Sequence, residues 1–108
     1  MANTFTSYVN KDVGTSAATV VTVASATQTT VIGMTAANTT SSSVTVDVYI
    51  TRSAVNYYII KGATVPAGGS LVVVGGDQKV VLTVSDALKI VSSAASSIDA
   101  VTSVLEIT

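Results

Sequence analysis

The chain has no cysteine, no histidine and no tryptophan, and only one proline. Without cysteine there is neither a disulfide nor a thiolate metal site. Without histidine the commonest general base and metal ligand are gone, and a Ser-His-Asp triad is impossible. Charge is also scarce. Asp, Glu, Lys and Arg make up 10% of the 108 residues, and the net charge is −1; about a quarter is usual. The five basic residues, Lys11, Arg52, Lys61, Lys79 and Lys89, are scattered, so there is no basic patch for nucleic acid. No apolar run approaches the ~20 residues of a membrane-crossing helix, so no membrane partner is expected. The opening MANTFTSYVNKD lacks a basic start with an apolar core, and no secretory signal is expected.

What is present is β chemistry. There are 20 Val and 17 Thr against 4 Leu and 1 Glu. Val and Thr are stiff at the β-carbon and suit a pleated surface, whereas Leu and Glu are what a helical domain would use. A chain of 108 residues makes one domain, 1–108. It is long enough to bury roughly two thirds of its unfolded surface around one core. Residues 64–91 show the architecture best. Apolar runs at 70–74, 79–83 and 87–91 are separated by Pro66-Ala67-Gly68-Gly69, Gly75-Gly76-Asp77 and Ser85-Asp86. Short β-rich runs punctuated this often predict an all-β fold: an antiparallel β-sandwich, jelly-roll or Ig-like, of eight to nine strands.

The rest of the chain fits that plan. Residues 17–24 and 29–37 read as strands, with Gly33 marking a bulge or close approach inside the second. Residues 38–43 are a polar loop. The clearest strand is 44–52, with Val44, Val46, Val48 and Ile50 on one face and Thr45, Asp47, Tyr49 and Thr51 on the other. Residues 55–61 follow after Ser53-Ala54, so the two form a hairpin. The second is apolar on both faces, which predicts a central or interface strand. Residues 92–97 are small and polar, with room for one helical turn. Residues 98–107 alternate to the end. The first segment, 2–13 within residues 1–16, reads either as an edge strand or as an N-terminal arm lying on a neighbouring subunit. In the arm reading, deleting it weakens binding to a particle without unfolding the domain.

No reactive centre emerges. Asp77 and Asp86 sit in turns and Asp99 opens the last strand. Turn aspartates bond nearby amides, and a glycosidase would need a carboxylate pair in a cleft. No EF-hand or nonapeptide calcium pattern occurs. The paired glycines at 68–69 and 75–76 lack P-loop spacing and read as hairpin turns. Asn38-Thr39-Thr40 is formally a glycosylation sequon. The expectation is no enzyme, no catalytic residue, no metal and no cofactor.

An uncharged Thr/Ser/Ala surface is easily desolvated, which suggests a subunit that buries much of its outside against other protein, with a homo-oligomer as the expected state. The alternative is a monomer with a Thr/Ser-rich face. Tyr49, Arg52, Tyr57 and Tyr58 form the one cluster with interface chemistry, joined by Phe5 and Tyr8 in the first segment. The competing reading of that cluster is packing at the core edge, and a smaller possibility is contact with carbohydrate.

Residues 49–108 resemble small β-sandwich virion proteins of tailed bacteriophages, including phages of cyanobacteria. The features that carry the resemblance are the strand Val46-Asp47-Val48-Tyr49 and the Tyr57-Tyr58 strand ending in Lys61. With them go Val65-Pro66-Ala67-Gly68 before a short strand, an aspartate before an Ile/Val strand, and the Ser103 to Glu106 end. The resemblance implies a non-enzymatic structural protein of the virion, assembled in the bacterial cytoplasm and present in many copies. A capsid decoration or cement subunit bound to the major capsid protein is the first expectation. A collar, tail or baseplate subunit bound to tail or neck proteins is the second. A carbohydrate-binding module for host attachment, using the tyrosines, is the third. No functional residue is carried over from that group.

Overall fold

The computed structural model describes residues 2–75 and 78–108. The turn expected at Gly75-Gly76-Asp77, and the carboxylate of Asp77, therefore lie partly outside the described residues. There is no helix among the described residues, including 92–97. The described residues form nine strands: β1 (Asn3–Val13), β2 (Ala18–Thr22), β3 (Gln28–Asn38), β4 (Val44–Arg52), β5 (Val55–Val65), β6 (Ser70–Val74), β7 (Val80–Leu82), β8 (Ala87–Ser92) and β9 (Ile98–Ile107). Sheet I runs β1-β9-β3-β6, with β7 also on β3; sheet II runs β2-β8-β4-β5. Every pairing is antiparallel. β9 lines one edge of β3 throughout, so β6 (against Met34 to Ala37) and β7 (against Thr29 to Val31) follow one another along the other edge.

Counted as one interrupted strand, β6 and β7 reduce the chain to eight positions. The first then pairs with the eighth, the second with the seventh, the third with the sixth and the fourth with the fifth. This is one long antiparallel ribbon rolled into two sheets, a jelly roll. The Ig-like alternative places its first two strands side by side in one sheet; here β1 and β2 lie in different sheets.

Pairing excludes one of the two readings for each of two segments. The first segment is not an arm. β1 is an edge strand of sheet I, paired with β9 from Asn3 opposite Ile107 to Val13 opposite Ile98, with one register shift between Asn10 and Val13. Ala2 and Thr108 extend the ladder by exchanging two backbone hydrogen bonds of 3.0 Å. Removing β1 would orphan the polar backbone along one side of β9. Nor is β5 a central strand. It is the edge of sheet II. It continues past Lys61 to Val65 because Gly62, at φ +68°, turns within the strand instead of ending it. The register against β4 slips twice, with the extra residues on β5. Each slip reassigns faces, which is why apolar residues fall on both.

The core is aliphatic. Val31, Met34, Val46, Val48, Leu82, Leu88, Ile90, Ile98 and Val104 are fully buried between the sheets. Each contributes about 1.5–3 kcal/mol by leaving water. Gly33 sits where the β3–β9 register shifts, the bulge its position suggested. At the end of β3 the buried Asn38 donates from Nδ2 to the carbonyls of Ser42 (2.8 Å) and Val65 (3.1 Å), and its Oδ1 accepts from the Thr40 amide at 2.9 Å. The sequon asparagine is thus an internal brace of the β3–β4 loop.

Candidate interaction surfaces

The β4–β5 hairpin closes through Ser53 and Ala54, both at positive φ (54° and 62°). That is the two-residue turn whose twist matches the strands, built here without the usual Asn-Gly. On the hairpin's outer face, Asp47 Oδ1 accepts from the Gly62 amide at 2.7 Å. Its other oxygen lies 3.8 Å from Lys61 Nζ. Lys61 in turn sits over the Tyr58 ring, 4.4 Å from its centroid, and Tyr58 leans on Tyr49 with centroids 5.1 Å apart. Tyr49 therefore points outward but is almost covered. Cross-strand pairing extends this row through Lys89 to Thr19.

Arg52 and Tyr57 belong to the other side of the same hairpin. Tyr58 pairs with Tyr49 and Tyr57 with Ile50, so the two adjacent tyrosines face opposite ways. Arg52 turns toward the end of the sandwich and grips Asp86 with a two-pronged contact, Nε to Oδ1 at 2.8 Å and Nη2 to Oδ2 at 2.5 Å. Asp86, 1% exposed, also accepts from the Thr83 amide at 2.9 Å. The Arg52 guanidinium, helped by that amide, holds the Asp86 carboxyl down at about 2. Ile50, Arg52 and Tyr57 border a shallow hollow of about 380 Å³. The four residues expected as one cluster are thus two pairs on opposite faces.

Phe5 and Tyr8 separate in the same way. Tyr8 faces inward against the core. Its hydroxyl donates to Glu106 Oε2 at 2.5 Å, and that bond, with burial, pushes the phenol up to about 12. Phe5 faces outward and is 76% exposed.

Phe5 belongs to a surface that sequence reasoning missed. One row crosses all of sheet I from Val9 through Val101 and Thr35 to Val72. A second runs from Phe5 through Leu105 and Thr30 to Val81. Ser7, Ser103 and Gly33 lie between them. Phe5, Val9, Val72, Val81 and Val101 are 51–76% exposed. At one end of this face Lys11 Nζ pairs with Asp99 Oδ2 at 3.1 Å, and the exposed Lys79 lies in the chain between Val72 and Val81 along the β6–β7 edge. The signal was in the alternation of β1 and β9, whose outward residues from Phe5 to Val9 and from Val101 to Ile107 are apolar or hydroxylic. It became legible only once β9 was placed between β1 and β3.

The carboxylates do local work. Asp99 accepts from the Asp12 amide at 3.0 Å and from Lys11, and the amide first, then the lysine, lowers its pKa. Among the described residues no three potential ligands gather to hold a metal.

No protein-family model matches the chain, and no curated protein matches its sequence. Two solved structures share the fold. A protein of Bacillus endospore appendages, described as a family of disulfide-linked pili, superposes with a TM-score of 0.57 at 14% identity, over 99% of this chain and 87% of its own. A protein of infectious bursal disease virus, Gx strain, superposes with a TM-score of 0.52 at 12% identity, over 96% of this chain and 32% of its own. This chain thus spans about a third of that viral protein. The disulfide linkage named for the pili has no counterpart here, since there is no cysteine. The likeness is one of fold.

Proposed function

We propose that this chain is a non-enzymatic structural subunit of a multi-copy particle: a virion protein of a tailed bacteriophage that decorates or cements the capsid shell. The observation that carries this reading is the outer face of sheet I, where Phe5, Val9, Val72, Val81 and Val101, each more than half exposed, stand in two rows. Exposed apolar surface of that extent marks a protein interaction site. The jelly-roll fold, shared with a viral protein and a pilus protein, and the resemblance to phage virion proteins point the same way. The partners are other virion proteins, and the location is the particle. The carbohydrate reading loses most of its platform, because Tyr49 is covered and Lys61 occupies a face of Tyr58.

Gold labelling of phage particles with an antibody to this chain tests the proposal. Label spread over the shell, at hundreds of copies per particle by quantitative mass spectrometry, is the expected result. Label confined to the neck or tail would replace the cement role with a collar, tail or baseplate subunit. Its absence from purified particles would overturn the virion reading.

A further inference from the structure

We infer that β1 is an adhesive edge: two copies of this chain pair through it, antiparallel about Ser7, and join the sheet I of each into one continuous sheet. The inference stands apart from the particle reading, since it concerns the isolated protein.

The four sheet edges are not alike. An open edge is a template for another strand, and proteins blunt it by shortening, bulging or charging it. β2 has five residues and a register shift between Thr19 and Val21. β5 slips twice against β4 and carries Lys61 beside Gly62 at φ +68°. A third edge is broken into β6, of five residues, and β7, of three. β1 has eleven residues, and its pairing with β9 runs without a shift from Asn3 to Asn10. Its charged residues, Lys11 and Asp12, fall at the bulged end. Phe5 and Val9, 76% and 72% exposed, are the barest large apolar side chains among the described residues, and both stand on this strand.

The backbone fixes where this edge can bond. Ala2 and Thr108 exchange both their hydrogen bonds, and along an antiparallel ladder such pairs alternate with pairs that exchange none. The even-numbered residues of β1 therefore turn amide and carbonyl toward β9. Phe5, Ser7 and Val9 turn theirs to the other side, where β1 pairs with no strand among the described residues.

The side chains select the partner. For the joined sheets to share one outer face, outward residues must meet outward residues, so a two-fold axis has to pass through a residue of β1. At Ser7 it sets Phe5 opposite Val9, Ser7 opposite its own equivalent and Lys11 opposite Asn3. The three central pairs then exchange about six backbone hydrogen bonds. An axis at Tyr8 would put Phe5 against Lys11, and one at Thr6 would put Val9 against Asn3. The strand thus matches its own reverse about Ser7, a property that only a second copy can use, and two copies meeting in this way form the commonest closed symmetry. The assembly stops at two because the other edges are blunted.

Sedimentation equilibrium and a cross-link test this. At about 100 µM the expected mass is 21.6 kDa, twice the 10.8 kDa of the chain. Ser7→Pro removes an amide that points away from β9. It should return the mass to 10.8 kDa with an unchanged far-UV circular dichroism spectrum. Ser7→Lys, which sets two lysines face to face across the axis, should do the same, and it carries the test if Ser7→Pro does not fold. Ser7→Cys supplies the only thiol in the chain. About 5.5 Å separates the α-carbons of such a pair, within disulfide reach, so oxidised glutathione should convert this variant to a covalent dimer. Thr22→Cys, exposed on sheet II, should cross-link far less. Val72→Glu, at the opposite edge of sheet I and already 66% exposed, should leave the dimer intact. A wild-type monomer over the whole concentration range would overturn the inference. So would a dimer that Ser7→Lys leaves whole, or one that Val72→Glu breaks. None of these results would bear on where the antibody labels a phage particle.

Discussion

The two outward faces of this sandwich use opposite means to stay in one conformation. On sheet II, Asp47 accepts from the Gly62 amide, Lys61 bridges Asp47 and the Tyr58 ring, and Tyr58 covers Tyr49. Its polar groups are engaged with one another, and its aromatic area is already shielded by its own neighbours. On sheet I such contacts gather at one end, where Asp99 accepts from Lys11 and from the Asp12 amide. Phe5, Val9, Val72, Val81 and Val101 project from a ladder that is fully paired beneath them but bare above. A face that satisfies itself is finished as a surface, whereas one that leaves apolar rows in water is half of a contact.

The contrast can be broken or sharpened by experiment. Deleting residues 2–13 should have the largest effect. It removes a whole strand from the bare face and leaves β9 with an open edge. The loss should exceed the 5–15 kcal/mol that holds an ordinary domain together. Circular dichroism should then show no cooperative melt; a truncated chain that melts like the parent would make β1 a dispensable appendage after all.

Next in size is Asp86→Asn, which cuts the tie between the hairpin carrying the self-satisfied face and the turn before β8. It should cost about 1–2 kcal/mol at pH 7. That is less than the full shift implies, because Arg52 is half-exposed and solvent screens the pair. The folded carboxyl sits at about 2, below its unfolded value of about 3.9. This stability is therefore present above about pH 4 and is lost as pH falls through about 2. Urea melts from pH 7 to pH 2 should show a steeper acid slope in the parent than in the variant, which keeps only the smaller contribution of carboxylates such as Asp99.

Replacing Ser53-Ala54 by Asn-Gly relieves two positive-φ residues at the hairpin tip. It should add about 1 kcal/mol, or roughly 4 °C in Tm; no gain would mean that the turn is not strained. Smallest is Lys61→Ala, worth about 0.5 kcal/mol at a site this exposed. That difference should shrink in 1 M salt, and one that ignores salt would show that Lys61 acts by packing its stem.

The strands were legible because Val and Thr alternate between clear punctuation. β4, β6 and β9 begin and end where the pattern says. What the pattern could not carry was register and neighbourhood. Tyr57 and Tyr58 looked like one patch with Tyr49 and Arg52, and the pairing of Tyr58 with Tyr49 and of Tyr57 with Ile50 divided them between the two faces. Phe5 and Tyr8, three apart on a strand, were bound to face opposite ways, yet only the Tyr8–Glu106 bond shows which of them turns inward. Asp86 read correctly as turn chemistry, but its partner Arg52 lies 34 residues away, and no local rule points to it. The bare face needed four strands from distant parts of the chain to be set side by side before it existed at all.

That last point bears on how the molecule is made. One of the two central strands of sheet I, β9, meets β1 from Asn3 opposite Ile107 to Val13 opposite Ile98, the two ends of the chain. Contacts so remote must wait for the rolled ribbon to close, and folds dominated by them mature over milliseconds to seconds. During that interval β1 and β3 present open edges beside valine- and threonine-rich rows, with few charges to keep neighbouring chains apart. Refolding yield should therefore fall as chain concentration rises, even for a sequence whose final state is secure. The local β4–β5 hairpin, able to form in microseconds, becomes the natural seed from which the ribbon can zip before another copy finds its edge.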